Sequence, residues 1–409
     1  MIKNIIIFFI LLSSASFFRI IFFPERMISL AEFGVPAIMF AVILVQEIYG
    51  KERMMKLNFK QPIFLIFAGV FLSMIIANAY HNQNYALTFW AQRFMYFYIF
   101  YFFLHMLKPD VKELEKIVLA LGMLYAASFL IQYIIYPTTL FDVRQDVDRG
   151  TIRIFIPGSS FMALSLYLCL NRFYTLNKIK YVFPVVIFLS IMILTGTRYA
   201  LSVTFLVIIA SLIFSKVIRS RYLIYMLVII ATVPLFFIFE EIFEGMIGVS
   251  HEQSEDFMDN VRIRASRFFL TDFFPNPLAY FFGNGQDHMG SSYGMRVFYY
   301  KSVFGYFQSD IGFLGDFSKF GLFFAVGAVW LLIKAWKAPV KPENSYVKFS
   351  LLSSTLVLPV AGVFSNPFAI AVLCIIMYIL DNNINETKEN SNVENQHLSG
   401  GNLPAGEGP

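Results

Sequence analysis

Apolar residues in this chain come in runs near the length of a membrane span, separated by short polar connections. Twelve runs stand out, at about 4–23, 27–49, 62–80, 88–107, 117–136, 156–175, 181–196, 199–216, 222–240, 309–333, 349–364 and 367–380. A helix of about 20 apolar residues crosses roughly 30 Å of hydrocarbon. The pattern therefore predicts an all-α polytopic membrane protein, with residues 1–380 as a single transmembrane domain. Pro359, Gly362 and the pair Asn366-Pro367 divide the last apolar stretch into two short spans joined by a turn. The first run carries Lys3 but no small-residue cleavage site, so it reads as a span rather than a cleaved signal peptide. Two connections are long, 137–155 and 241–308, and the larger is expected to hold short helices. Residues 381–409 are polar and rich in Asn, Glu and Gly, and read as a disordered tail.

Composition narrows the class. Hydrophobic residues make up 58% and charged residues 14%, against about 25% charged in an ordinary soluble domain. A soluble enzyme, a nucleic-acid binder and a disordered chain are all excluded. Cys169 and Cys374 both fall inside apolar runs, which implies neither a disulfide framework nor a thiolate metal site. The net charge of +5 matters less than its placement. Lys and Arg cluster in alternate connections, as in GKERMMKLNFKQ at 50–61, and these connections hold more than half of the 32 basic residues. By the positive-inside rule both termini are expected in the cytoplasm, with the long connections outside.

Ionisable residues within the spans gather in the halves expected to face outward: Arg19, Glu32, Arg93, Asp310, Asp316 and Lys319, with Arg198 at a turn between runs. The inner halves show almost nothing comparable. An ion pathway needs polar groups through the full depth, so this asymmetry suggests a polar cavity open to one side. Snorkelling to the interface is the competing account for each residue taken singly.

Five segments carry candidate chemistry. Leu194-Thr195-Gly196-Thr197-Arg198-Tyr199-Ala200 joins two runs by a tight turn, and its guanidinium suits a phosphate or a lipid headgroup. DFMDNVRIRASRFFL at 256–270 predicts an amphipathic surface helix. Arg264 and Arg267 share one face of it and Arg262 points elsewhere, a set that fits a diphosphate or anionic lipid. Gly283-Asn284-Gly285 is a turn followed by His288, a candidate base that is equally an ordinary loop histidine. Ser309-Asp310-Ile311-Gly312 re-enters the apolar phase, where Asp310 is a candidate base or a helix cap. DVRQDVDRGTIR holds Asp146 and Asp148 in a D-x-D spacing with Arg149 and Arg153 nearby, a pattern that a solvated face also produces. No zinc, haem or P-loop pattern occurs.

Taken together, the T-G-T-R-x-A turn at 195–200, Arg262 ahead of Asn276-Pro277 and the Gly283 and Gly285 turn, and S-D-I-G-F-L-G with Phe320-Gly321-Leu322 resemble the O-antigen polymerase (Wzy-type) and O-antigen ligase family of integral-membrane glycosyltransferases. The resemblance spans roughly 150–335. It implies a GT-C-like bundle in the bacterial inner membrane with its active site at the outer leaflet. The implied substrates are glycans on undecaprenyl diphosphate, with membrane lipid and a chain-length regulator as further partners and no nucleic acid. No metal or cofactor is implied. The diphosphate would fall to Arg198 and to Arg262, Arg264 or Arg267, with Arg153 as a further loop arginine. Asp310, His288 and Glu32 are the candidate bases. The ligase branch carries a histidine where the loop re-enters the membrane; this chain has Asp310 there, which favours the polymerase. A ligase and a lipid-linked sugar flippase are the alternatives.

Overall fold

A computed structural model of the protein describes residues 2–49, 57–148, 151–214 and 260–399. The run at 222–240 and the first part of the 241–308 connection lie outside them. The described chain is a bundle of helices: α1 (Ile2–Ser14), α2 (Glu25–Tyr49), α3 (Lys60–Ala79), α4 (Tyr85–Ala91), α5 (Ile99–Leu107), α6 (Val111–Ile135), α7 (Ser159–Leu176), α8 (Val182–Leu194) and α9 (Arg198–Phe214). After the long connection come α10 (Val261–Leu270), α11 (Leu278–Phe282), α12 (Ser292–Phe304), α13 (Gly312–Lys337), α14 (Tyr346–Val357) and α15 (Pro367–Ser399). Among the described residues, five helices are long and apolar enough to cross a membrane, and four shorter ones are apolar. Helices satisfy every backbone donor internally, so they are the form such apolar runs take in hydrocarbon. The one sheet among the described residues is a hairpin of β1 (Gln145–Asp148) and β2 (Thr151–Ile154), pairing Asp146 with Arg153.

The closest helix pair is α3 against α13. A side chain on Gly69 would strike the backbone nitrogen of Phe324 at 2.5 Å, and one on Gly327 would meet Pro62 O at 2.9 Å. α2 stands at the edge of the bundle, with only Ile28, Glu32, Pro36 and Met39 buried.

Several elements depart from the hydropathy pattern. The first run stops at Ser14, because Ser16 to Arg19 all take left-handed backbone angles. The turn is tied down by Ser16 Oγ donating to Glu32 (2.6 Å) and by Asp142 N donating to Arg19 O (2.7 Å). The fourth run is interrupted by a 3-10 turn at Arg93–Tyr98. α15 continues to Ser399 through the segment that composition assigns to a disordered tail. No Gly or Pro occurs between Asp381 and Ser399 to stop it.

The end of the bundle opposite the hairpin is also less bare than the sequence suggests. Asp381 is fully buried there, accepting from Tyr101 OH and from Asn58 Nδ2 (2.7 Å), with His105 Nε2 3.1 Å away. Arg172 pairs with Glu115. These groups lock helix ends to one another. Between that pair and the hairpin half, α7 presents Leu168, Cys169 and Leu170, all buried.

Candidate functional site

α8 ends at Leu194, and Gly196 at φ +60° reverses the chain so that α9 starts at once with Arg198. This tight turn closes one wall of a cavity of about 500 Å³. The other walls are the first half of α7, the second half of α14, the turn at 358–366 and the first turns of α15. Its polar lining is neutral. Ser159, Ser160, Thr195, Thr204, Ser350 and Ser353 contribute hydroxyls, and Tyr167 and Asn366 add a phenol and an amide.

The β-hairpin lies over this turn. Thr151 Oγ1 donates to Leu194 O at 2.9 Å. A side chain on Gly196 would meet Thr151 Cγ2 at 3.2 Å and Arg153 Cγ at 3.4 Å, so the Arg153 stem rests on the turn itself. Arg153 and Arg198 are thereby brought together from segments far apart in sequence. The Arg153 guanidinium stands 5.0 Å from the centre of the Phe155 ring, and Arg144 stands 5.7 Å from the same ring while pairing with Asp146 at 2.7 Å. Phe155, Thr195 and Thr197 all line the cavity. The Arg153 stem therefore rests on a turn whose Thr195 and Thr197 line the cavity, and Arg198 starts the helix that leaves this turn.

The remaining predicted residues lie elsewhere. Arg262, Arg264 and Arg267 are all exposed on α10. That helix is capped by Asn260 and buries Ala265 and Phe269 against Tyr293, Val297 and Ile311, a cluster separate from the main core. None of the three lines the cavity. Asp310 is exposed in the turn before α13 and accepts from Ser309 Oγ at 3.1 Å. His288 takes Gly290 N on its Nδ1 at 3.0 Å, as a turn residue does. Glu32 is 2% exposed and fully engaged: one oxygen accepts from Ser16 and the other pairs with Arg93 Nε at 2.8 Å. It fastens α2 to the chain before α5. Asp316 is buried behind the 358–366 turn, close to Gly362. Among the described residues, no group of three or more His, Cys, Asp or Glu side chains is placed to hold a metal ion.

A second polar constellation joins the connection between α3 and α4 to the segment before α12. Gln83 donates from Nε2 to Thr88 Oγ1 (2.9 Å) and Gln286 O (2.7 Å), and its Oε1 accepts from His288 N (2.9 Å) and Ser291 Oγ (2.6 Å). His81 stacks on Tyr293 with ring centres 4.2 Å apart. Its Nδ1 accepts from Arg296 Nη2 at 2.5 Å, so its Nε2 carries the proton donated to Asn284 Oδ1 at 2.9 Å. Burial, and secondarily the Arg296 charge, lowers the His81 pKa below its ordinary 6.5, opposed by the Asn284 hydrogen bond. Asn284 passes the link on to Ser318 O. Gly283 and Gly321 meet main chain to main chain, both with positive φ. Sequence reading missed His81, Gln83 and Arg296. The signal was present in His81-Asn82-Gln83-Asn84, four polar residues in a connection otherwise too short to need them.

No protein-family model, curated protein or solved structure matches this chain.

Proposed function

We propose that the protein is a glycosyltransferase of the bacterial inner membrane that polymerises surface-polysaccharide repeat units at the outer leaflet. In this reading the chain crosses the membrane twelve times with both termini in the cytoplasm, and the hairpin end faces outward. The growing glycan on undecaprenyl diphosphate is the donor and a lipid-linked repeat unit is the acceptor.

One observation carries the reading: Arg153 rests on the turn that launches Arg198, at the edge of a hydroxyl-lined cavity. Two arginines beside a neutral polar chamber suit a ligand with an anionic group at one end and a sugar at the other. The acceptor hydroxyl oxygen bonds to the anomeric carbon while the bond from that carbon to the diphosphate breaks. The electron pair leaves with undecaprenyl diphosphate, and the arginines stabilise the charge that develops there. None of the three candidate bases lines the cavity; in this scheme the hydroxyl proton passes to water and from there to Asp310, which among the three alone has an exposed carboxylate.

The cavity also weighs against a flippase. Among the described residues its lining comes mostly from the hairpin-facing halves of its helices, and the far halves bury Leu170, Leu212, Val347 and Ile379 in the core. The decisive experiment is replacement of Arg198 and Arg153 by Ala, singly, followed by gel analysis of surface polysaccharide. Each charge-assisted hydrogen bond is worth about 1.5–3 kcal/mol, so each loss should cut polymer by about ten- to a hundredfold at constant protein level. Ladders of normal length and amount would reject the reading. Deletion of the gene should leave single-repeat products; normal polymer lacking only its terminal acceptor would point to a ligase.

A further inference from the structure

We propose that the cavity beneath the Gly196 turn is a binding site for an uncharged sugar residue, read by hydroxyls rather than by charge. This deepens the transferase reading, and rests on it only for where the sugar comes from.

Among the described residues, the lining contains no Asp, Glu, Lys, Arg or His. A uronate or phosphosugar would have to shed its water with no countercharge, which is costly. A neutral sugar brings hydroxyls that both donate and accept, and so does the wall. The wall holds a buried hydroxyl cluster and one polar atom without a partner. Tyr167 is 1% exposed, lines the cavity, and shares hydrogen bonds with the hydroxyls of Ser353 and Thr204. Asn366 Oδ1 is buried without a donor. That oxygen can only accept, so its occupant must donate an O–H or N–H. A buried polar atom left unsatisfied is costly, and a sugar hydroxyl supplies the donor that Asn366 lacks. The apolar wall, from Tyr125, Ile156 and Phe368, offers surface to the C–H face of the same ring. The volume of about 500 Å³ lies within the roughly 300–1,000 Å³ of small-molecule sites.

The test uses the full-length protein in lipid nanodiscs with Ser353→Cys in the cavity wall and, separately, Ser309→Cys on the exposed turn. Reaction of each thiol with a small neutral maleimide is timed in the presence of the methyl glycosides of galactose, rhamnose and N-acetylglucosamine, and of glucuronic acid. At least one neutral glycoside should slow the Ser353→Cys reaction by about tenfold, with glucuronic acid changing it less than about twofold; tenfold corresponds to about 1.4 kcal/mol. Ser309→Cys should be unaffected. Adding Tyr167→Phe should remove most of the protection, since it deletes one hydroxyl of the wall cluster and keeps the ring. If Ser353→Cys does not fold, Ser160→Cys samples the same chamber. Equal labelling with and without every neutral glycoside, which shows a chamber that holds water only, or equal protection by glucuronic acid, which shows a chamber blind to charge, overturns the proposal. No lipid enters this assay. Protection in nanodiscs, together with polymer in cells that ignores Arg198→Ala, would therefore leave the sugar site standing while the transferase reading falls; the reverse pattern removes the sugar site alone.

Discussion

Arg296 donates a hydrogen bond to Nδ1 of His81 across 2.5 Å, although both residues can carry positive charge. The contact exists because burial holds the imidazole neutral, stacked on Tyr293 and donating to Asn284. Protonation would turn the acceptor nitrogen into a donor facing a guanidinium.

His81 therefore sets a pH dependence. Its folded pKa lies below the unfolded 6.5, so its contribution to stability is complete above that pH and drains away as pH falls through the folded value. Thermal unfolding of the purified protein between pH 5 and pH 8 should show a midpoint that declines below about 6.5. His81→Gln should lower the midpoint at pH 8 and flatten the slope. An unchanged slope would remove His81 as its source.

Gln83 serves four partners with one fully buried side chain. Gln83→Leu keeps the bulk and strands the backbone N–H of His288 and the carbonyl of Gln286. With about 1–3 kcal/mol for each of the two orphaned buried groups, the expected loss is roughly 2–6 kcal/mol. Faster proteolytic cleavage at 283–291 should accompany the fall in melting temperature. A variant as resistant as the parent would show that this segment is held by its aromatic contacts alone.

Gly321 takes φ 72° and ψ −167°, a region reserved almost wholly for glycine, and a side chain there would strike the backbone of Gly283. Gly321→Ala should cost at least about 1–3 kcal/mol from the backbone angles alone. Gly34 is the control: it is helical and has open space around its Cβ position, so Gly34→Ala should be neutral or stabilise by up to about 1 kcal/mol. Similar melting temperatures for the two variants would contradict the crossing.

Glu32 and Arg93 form a pair in which the carboxylate is almost wholly enclosed. Removing one partner of a buried pair costs about 3–5 kcal/mol, because the other charge is left behind. Glu32→Leu should accordingly harm stability more than Glu32→Leu combined with Arg93→Leu. Additive losses in that double-mutant cycle would mean that the two side chains act independently.

The apolar runs made most helices legible, because a chain in hydrocarbon has few other ways to satisfy its backbone. Breaks within runs were not legible. Hydropathy is blind to the left-handed turn at Ser16–Arg19 and to the 3-10 segment after Arg93, since both keep apolar side chains. The hairpin was hidden by reading Asp146 and Asp148 as a charge pattern, when their spacing of two is also the period of a strand. Chemistry alone nominated Arg153 and Arg198. Their meeting depends on how the hairpin lies over the Gly196 turn, which no local pattern encodes. Glu32 drew attention as a charge at span depth, but charge alone does not reveal whether a partner waits on another helix, and here Arg93 does.

The contact of Gly283 with Gly321 has one last consequence. Two strands of backbone that touch with no side chain between them leave no cushion to absorb a shift. Any swing of the upper part of α13 about Gly321 must carry the 283–291 segment with it as one body, like a latch riveted to its door.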